Sequence, residues 1–244
     1  MSETSSAEPS PPGRATARPE RSQIARQRMI TSAIELIAEG GLAYATLARI
    51  GEHAGYSRGL ADYHFGSKTE LVEQLVEHVA RSWEHALAPV RRDQVHGLTA
   101  LVLELRSYMM RSEEHPLAAR VLSVLSTEAL TATPEIKNTI ARHDESFRRR
   151  LRRWIIEAQD EGTIYPHIDP VHASVLIQGI LRGVTLQWTV SPESFRPTEM
   201  ADLIIDTTLS GLCRPAGIAS LMDITLSAAR DTDGDSAGEI ASSS

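Results

Sequence analysis

Apolar residues recur every three or four positions along most of the chain, and this spacing restricts the possible folds more than any other sequence feature. In the segment 24–38 the repeating positions are Ile24, Ile30, Ala33, Ile34 and Ile37. A period of three to four is typical of amphipathic helices, whereas a half-buried strand alternates every second residue. The sequence contains no clear alternating run and no hairpin dipeptide, so it predicts an all-α protein.

Glycines and prolines divide this pattern into separate helices. Gly40 and Gly41 mark the end of the first helix, since glycine is common just beyond a helix C-terminus. Thr133 before Pro134, and Asp169 before Pro170, each combine a capping side chain with a proline at the first helical position. The predicted helices are 21–39, a short one starting at 46, 58–64, 67–91, 97–111, 116–130, 134–160, 170–190, 198–212 and 216–229.

Composition along the chain predicts two helical domains between polar tails. Residues 1–20 are rich in Ser, Pro, Thr and Glu and are expected to be disordered, and 214–244 is a second poorly ordered tail apart from the helix at 216–229. A helix-turn-helix domain is expected at 21–67 and a larger helical domain at 68–213. No apolar run is long enough to cross a membrane and no secretory signal is present, so we expect a cytoplasmic protein.

The stretch GYSRGLADYHFGSK, residues 55–68, collects basic and aromatic hydrogen-bond donors between glycines. The whole chain has a formal net charge of -7, but its front part differs. Residues 21–68 carry six basic side chains against four acidic ones, which leaves this part weakly basic. This asymmetry is compatible with a small basic module attached to an acidic body.

A helix-turn-helix explains why such donors lie together. Its second short helix can enter the major groove of DNA. Arg58, at the start of that helix, could reach a guanine edge or a phosphate. Thr46 and Ser57, at the two helix N-termini, could present hydroxyl and backbone N–H groups to phosphates. Three phosphate donors lie at the end of the second helix, namely Tyr63, His64 and Lys68.

The same stretch also matches a hydrolase motif. Residues 55–59, GYSRG, fit the pattern G-x-S-x-G of a nucleophile elbow, which would make Ser57 a catalytic nucleophile. That motif needs a strand before the serine and a helix after it, and the preceding residues have helical period. We therefore expect a protein that is not an enzyme, with no catalytic residue, no metal site and no cofactor.

The segment TLARIGEHAGYSRGLADYHFGSKTEL, residues 46–71, resembles the DNA-binding domain of the tetracycline-repressor-like (TetR) family. The matching positions are Thr46, Ile50, Ala54, Gly55, Ser57, Gly59, Tyr63, His64, Phe65, Ser67, Lys68 and Leu71. The resemblance implies DNA contacts from this segment, including Gly59 and Leu60. It also implies a homodimer that binds a pseudo-palindromic operator in double-stranded DNA and is released by a small-molecule effector. Two positions depart from the usual pattern, Gly51 and Asp62.

The departures leave a second function open. Gly51 should weaken its helix by up to about 1 kcal/mol relative to alanine. Asp62 would repel phosphates unless it faces away or pairs with Arg58 four residues earlier. An all-α ligand-binding or scaffold protein with a silent helix-turn-helix is therefore the alternative interpretation.

The resemblance also implies how the body is used, and 161–188 is similar to the choline-type repressor class. The last two long helices would form a dimer interface, with candidate residues Val175, Leu176, Ile180, Leu181, Val184, Leu203, Ile204 and Leu209. Aromatic, flexible or polar residues in the aliphatic body helices are candidates for the effector pocket, namely Trp83, Tyr108, Met109, Met110, Trp154, Gln178 and Trp188. The net negative charge favours a cationic or neutral effector.

Overall fold

Ten α-helices make up the described part of the chain, in a computed structural model that describes residues 17–86 and 95–224 and the side chains of 21–81 and 95–224. They are α1 (Ala17–Tyr44), α2 (Leu47–His53), α3 (Arg58–Phe65), α4 (Lys68–Ala86), α5 (Gly97–Glu114), α6 (Pro116–Glu128), α7 (Lys137–Asp160), α8 (Pro170–Val190), α9 (Pro197–Ser210) and α10 (215–224). Within these ranges β pairing is limited to one antiparallel bridge between Ile164 and Cys213. The all-α prediction is confirmed.

The chain divides into two compact units between Leu75 and Val76. The first unit contains α1, α2, α3 and the first two turns of α4. Gly41 breaks the regular path of α1 with φ 78° and ψ 178°, at the glycine pair where the sequence predicts the end of this helix. The core of the unit consists of fully buried apolar side chains, among them Met29, Ile37, Leu42, Ile50, Phe65 and Leu71.

The second unit is a helical body in which α5 packs against α7 and α9, and α7 packs against α8. Its core is mostly aliphatic, as expected for a chain with 5% aromatic residues. The fully buried members include Leu101, Met109, Leu125, Leu151, Ile155, Ile177 and Ile205. The body therefore has the apolar interior that its helical period predicts.

The sequence predicts that helices begin at Pro134 and Pro170, and the structure differs between these two positions. Asp169 Oδ1 accepts a hydrogen bond from Val171 N at 2.8 Å, so α8 begins with the expected side-chain cap. Thr133 makes no such cap, and Pro134–Ile136 form a 3-10 turn before α7 starts at Lys137. The predicted extension of α4 beyond residue 86 and of α10 beyond 224 lies outside the described residues.

No helix in the described ranges is long and apolar enough to cross a membrane.

Candidate nucleic-acid interface and polar core of the body

Each helix of the α2–turn–α3 motif begins with a side-chain cap. Thr46 Oγ1 accepts a hydrogen bond from Arg49 N, and Ser57 Oγ accepts one from Leu60 N, both at 3.3 Å. Both hydroxyl residues are exposed. The hydroxyl oxygens satisfy backbone donors that would otherwise have no partner at a helix N-terminus. These caps fix where α2 and α3 begin, and so fix the direction of α3.

Gly51 lets the turn pack closely against α2. A Cβ atom at this position would lie 3.0 Å from Ser57 O and 3.2 Å from Ser57 C, which is tighter than ordinary van der Waals contact. The backbone of Tyr56 also donates to Gly51 O at 2.7 Å. Helix propensity describes only the stability that α2 loses by having glycine in place of alanine. In the folded motif Gly51 also allows the start of α3 to approach α2.

The donors of α3 differ in how far they extend into solvent. The side chain of Arg58 is 76% exposed and Tyr63 is 79% exposed. Tyr63 is the most exposed of the large hydrophobic residues in the described part of the chain. Gly59 is exposed, whereas Leu60 and Lys68 are partly buried. The side chains of Arg58 and Tyr63 are therefore the most accessible hydrogen-bond donors that α3 offers to an external partner.

Asp62 pairs with Arg58, as one of the two sequence-based interpretations predicts. Arg58 Nε lies 3.5 Å from Asp62 Oδ2 across one helical turn. Both side chains are exposed, so the pair contributes little to stability. The pair brings a negative charge to the surface that carries Arg58 and Tyr63.

His64 is turned toward the interior of the unit. Its Nε2 is buried and has no hydrogen-bond partner among the described residues. Burial, with a smaller contribution from Arg26, lowers the pKa of the His64 imidazole. Gln74 Nε2 donates to His64 O at 3.1 Å and Gln74 Oε1 accepts from Arg26 Nε at 2.8 Å. A phosphate contact from His64 therefore has less structural support than one from Tyr63.

The hydrolase interpretation of Ser57 is wrong, because the structure lacks the strand that this motif requires before the serine. A nucleophile elbow follows a strand, whereas the segment before this serine is helix α2. Ser57 Oγ is engaged as the cap of α3. Among the described residues, no group of three His, Cys, Asp or Glu side chains lies close enough to hold a metal ion.

The dimer candidates fall into two sets. Leu181, Ile204 and Leu209 are at most 4% exposed and lie in the core of the protomer itself, which corrects their assignment to an intermolecular surface. A helix that is apolar on all sides buries one side in its own protomer. The other side of α8 and α9 exposes Val175, Leu176 and Leu203 by half or more, with Ile180 and Val184 partly buried beside them.

The ligand candidates are also divided. Tyr108, Met109, Gln178 and Trp188 are buried in the body. Trp154 is partly buried, Met110 is 39% exposed, and the side chain of Trp83 lies outside the described residues. An open groove of about 600 Å³ on α7 is lined by none of these candidates, but by Asn138, Ala141, Arg142, Glu145, Arg148 and Arg149.

Three body helices turn polar side chains inward at helical spacing, and of these side chains the sequence-based reasoning named only Tyr108, Trp154 and Gln178. The inward-facing residues are Glu104, Tyr108 and Arg111 on α5, His143, Asp144, Arg150 and Trp154 on α7, and Gln178, Arg182 and Thr185 on α8. Their spacing of four and then three residues on α5 and α8 was visible in the sequence. We call these side chains the polar core of the body.

Ion pairs connect the polar core across the helices. Arg182 places its two terminal nitrogens 2.8 and 2.7 Å from the two carboxylate oxygens of Asp144. Arg150 Nη2 lies 3.4 Å from Oε1 of Glu104, which is 4% exposed. Arg111 is only 1% exposed and lies in the field of both Glu104 and Arg150. Such pairs hold α5, α7 and α8 in register, because breaking one leaves a charge in the interior.

Burial shifts the pKa values of several side chains in the polar core. Burial, aided by Arg182 and Arg150, lowers the pKa of His143 to about 4, so this imidazole is neutral near pH 7. Burial lowers the pKa of the Arg111 guanidinium and raises that of the Asp144 carboxyl. It also raises the pKa of the Tyr108 hydroxyl. In each case, neighbouring charges and hydrogen bonds compensate only in part for the hydration that the charged form loses on burial.

Comparison with known proteins agrees with the motif. Residues 29–75 match the family described as "Bacterial regulatory proteins, tetR family". The chain is 22% identical over 205 residues to the probable acrEF/envCD operon repressor of Escherichia coli K12, covering 82% of this chain and 92% of that protein. It is 38% identical over 68 residues to the HTH-type transcriptional regulator BetI 2 of Chromohalobacter salexigens, covering 28% of this chain and 33% of that protein.

A solved structure shares the fold over most of the chain. It is the complex with triclosan of SmeT, described as the repressor of the SmeDEF multidrug efflux pump of Stenotrophomonas maltophilia. The match has a TM-score of 0.69 at 24% identity and covers 79% of this chain and 93% of the SmeT chain.

Proposed function

Since the chain belongs to the TetR family of transcriptional regulators, we propose that it is a cytoplasmic homodimeric repressor that a small-molecule effector releases from DNA. The observation that carries the proposal is the capped α2–turn–α3 motif with Arg58 and Tyr63 extended into solvent. A relative that aligns with 82% of this chain is described as a probable operon repressor. A protein with the same fold is described in a complex with triclosan.

The DNA-binding surface is formed by the start and the end of α3 and the starts of α2 and α4. Arg58 reads a base edge or a phosphate from the first turn of α3. Thr46 and Ser57 present N–H and hydroxyl groups to the backbone, and Tyr63 and Lys68 contact the phosphates that pass the end of α3. Gly59 and Leu60 complete the face that enters the groove, and His64 contributes mainly by packing.

The dimer forms through the exposed apolar faces of α8 and α9. Val175, Leu176 and Leu203 are each 52–55% exposed, and a protomer alone leaves them in water. Gly179 and Gly183 of α8 have no atom within 4 Å of an added Cβ, so packing within the protomer does not require glycine there. Glycine on an exposed apolar helix face instead allows a second helix to approach closely, and an isologous interface would bury both copies of the face.

Release follows from the requirement that two α3 helices fit successive major grooves, about 34–36 Å apart. Helix α4 begins at Lys68 in the first unit and continues beyond Leu75 into the second. A change in the body can therefore reach the DNA-binding motif through this helix. The effector must bind more tightly to the conformation that does not fit the operator, because equal affinity for both would shift nothing.

Selection of genomic fragments by the purified protein, followed by footprinting, tests the repressor proposal. We expect protected half-sites related by a two-fold axis and separated by one helical turn or a multiple of it. Loss of protection when Tyr63 and Lys68 are both replaced by alanine would assign the footprint to this surface. A protein that enriches no fragment over random DNA would instead support a ligand-binding protein with a silent helix-turn-helix.

A pair of variants tests the dimer face. Leu176→Arg places a charge on α8 at a residue that is 55% exposed, and Leu117→Arg makes the same change on α6 at a residue that is 46% exposed. We expect only Leu176→Arg to give a monomer in sedimentation velocity and to lose operator binding. Equal behaviour of both variants would contradict the interface.

A further inference from the structure

Helix α8 lies between α7 and α9 on one surface of the body. In the described part of the body, α7 and α9 each pack against both α5 and α8, but not to a similar extent against each other. Asp144 of α7 pairs with Arg182 of α8. One turn further along α7, Arg148 donates to Gln178, which lies one turn earlier on α8, so these two helices are antiparallel. The short connection 191–196 returns the chain along α9, so the surface presents α7, α8 and α9 side by side.

The α7 edge of this surface is positively charged. It contains the open groove of about 600 Å³, whose lining includes Arg148, Arg149 and Glu145. Arg148 and Arg152 both bind the Glu145 carboxylate, so one negative charge is set against three positive ones. Arg142 also lines the groove, but the excess of positive charge does not depend on it. We call this part of α7 the basic edge.

The α9 edge of the surface is negatively charged. This helix contains no basic residue and three exposed acids, namely Glu199, Asp202 and Asp206. Asp202 pairs with Arg106 of α5 at 2.6 Å, so the flank that carries it faces α5 instead of α8. Asp206 follows one turn later, and Arg196, just before the helix, is bound by Glu113. We call the acids of α9 the acidic edge.

The strip between the two edges is mainly apolar. The exposed apolar side chains of α8 are Val175, Leu176, Leu186 and Val190. A second copy can cover this strip through a two-fold axis that runs either across α8 or along it. An axis across α8 places each edge on the same edge of the partner, which brings arginines against arginines and acids against acids. An axis along α8 places the basic edge of each protomer on the acidic edge of the other.

We infer that the two-fold axis runs along α8, and that the acidic edge of one protomer lies against the arginine groove of its partner. Both protomers make the same contact, so each dimer contains it twice. Opposite charges on facing edges select this orientation, because the alternative juxtaposes like charges. The inference rests on the proposed dimer and adds the contact that determines its orientation.

Charge reversal at one residue of each edge tests the contact. Arg149→Glu and Asp206→Arg should each weaken the dimer by about tenfold or more, since each replaces an attraction by a repulsion at two places. The double variant restores opposite charges and should dimerise within about threefold of the wild type. Arg120→Glu makes the same change on an exposed residue of α6 and should have no effect. Sedimentation velocity over a concentration series at low salt measures the dissociation constants.

A mixture of the wild type and the double variant distinguishes the two axes. With the axis along α8, a mixed dimer places arginine on arginine and acid on acid, so the two proteins should form separate homodimers. Native mass spectrometry of the mixture measures the proportions. Preferential formation of mixed dimers would indicate an axis across α8 and would overturn the inference.

Two further outcomes would also contradict the contact. A double variant as weak as the weaker single variant would show that Arg149 and Asp206 do not face each other. Weakening by Arg149→Glu but not by Asp206→Arg would mean that an acid outside α9 occupies the groove.

The variant Leu176→Arg separates this inference from the proposed function. If Leu176→Arg is a monomer while both charge reversals behave like Arg120→Glu, the proposed interface holds and its inferred orientation is wrong. If Leu176→Arg remains a dimer, the proposed interface itself fails. If the charge reversals behave as expected but the protein selects no DNA, the contact holds and the repressor proposal fails.

Discussion

In the N-terminal unit the cation Arg58 and the donor Tyr63 extend into solvent, whereas in the body Arg111 is 1% exposed and Arg150 is paired with a buried carboxylate. The first arrangement costs little stability, because exposed charges keep their water. The second requires partners for each charge and places the strongest electrostatic interactions between helices. In the proposed function the same residue types serve external recognition in one unit, whereas in the other they connect helices of the interior.

The separation of the two units is tested by removing the aromatic core of the first. Phe65→Ala removes a fully buried ring and should lower the free energy of unfolding of this unit by about 3–5 kcal/mol. We expect operator binding to be lost while dimerisation through the body remains. Circular dichroism during urea unfolding measures the stability, and sedimentation velocity measures the dimer. Equal loss in both units would show that they do not unfold separately.

Breaking the Arg182 pair tests the role assigned to the polar core. Arg182→Met leaves the largely buried Asp144 carboxylate without its main partner and should cost about 3 kcal/mol of unfolding free energy. Replacing both residues, as Arg182→Met with Asp144→Asn, should recover most of this loss. A double-mutant cycle of unfolding free energies, measured by urea denaturation, gives the coupling energy between Arg182 and Asp144. A loss of less than about 1 kcal/mol, typical of exposed pairs, would remove the contrast with the surface pair Arg58–Asp62.

The pH dependence of stability distinguishes the partly buried His143 from an exposed histidine. The unfolded chain protonates this imidazole near 6.5, but the folded protein resists protonation down to about 4. The unfolded state therefore binds more protons in this window, and stability falls as the pH is lowered through it. His143→Gln should make the decline shallower between pH 6.5 and 4. Urea midpoints measured across this range for both proteins check the result, and an unchanged slope would contradict burial of the neutral ring.

The smallest expected effect concerns Asp62. Asp62→Asn removes a negative charge next to Arg58 and should tighten DNA binding by about two- to fivefold, the scale of an exposed ion pair. Stability should change by less than about 0.5 kcal/mol. Fluorescence anisotropy with an operator duplex measures the affinity. Weaker binding by the variant would indicate that Asp62 positions Arg58 on a base instead of reducing the attraction to phosphates.

Local patterns predicted the helices and the N-terminal motif, because caps, glycine turns and apolar spacing act over a few residues. The capping roles of Thr46, Ser57 and Asp169 could be read in this way. The close contact beneath Gly51 could not, since it depends on where the turn passes over α2.

Most residues of the polar core were missed for a related reason. Its pairs join residues far apart in the chain, such as Asp144 with Arg182, 38 positions apart, and Glu104 with Arg150, 46 positions apart. Net charge sums over the whole surface and does not report the charges buried inside the body. The burial of Leu181, Ile204 and Leu209 in the protomer likewise depends on packing between helices.

The central claim, that the exposed donors of the first unit bind the phosphate backbone of DNA, is tested most directly by a salt series. Operator affinity is measured by fluorescence anisotropy for the wild type, Lys68→Ala and the body variant Arg120→Gln, with random duplex as competitor. We expect the slope of log affinity against log salt to fall by about 0.9 in Lys68→Ala, one phosphate contact, and to stay unchanged in Arg120→Gln. An unchanged slope in Lys68→Ala, or equal wild-type affinity for operator and random duplex, would contradict the account.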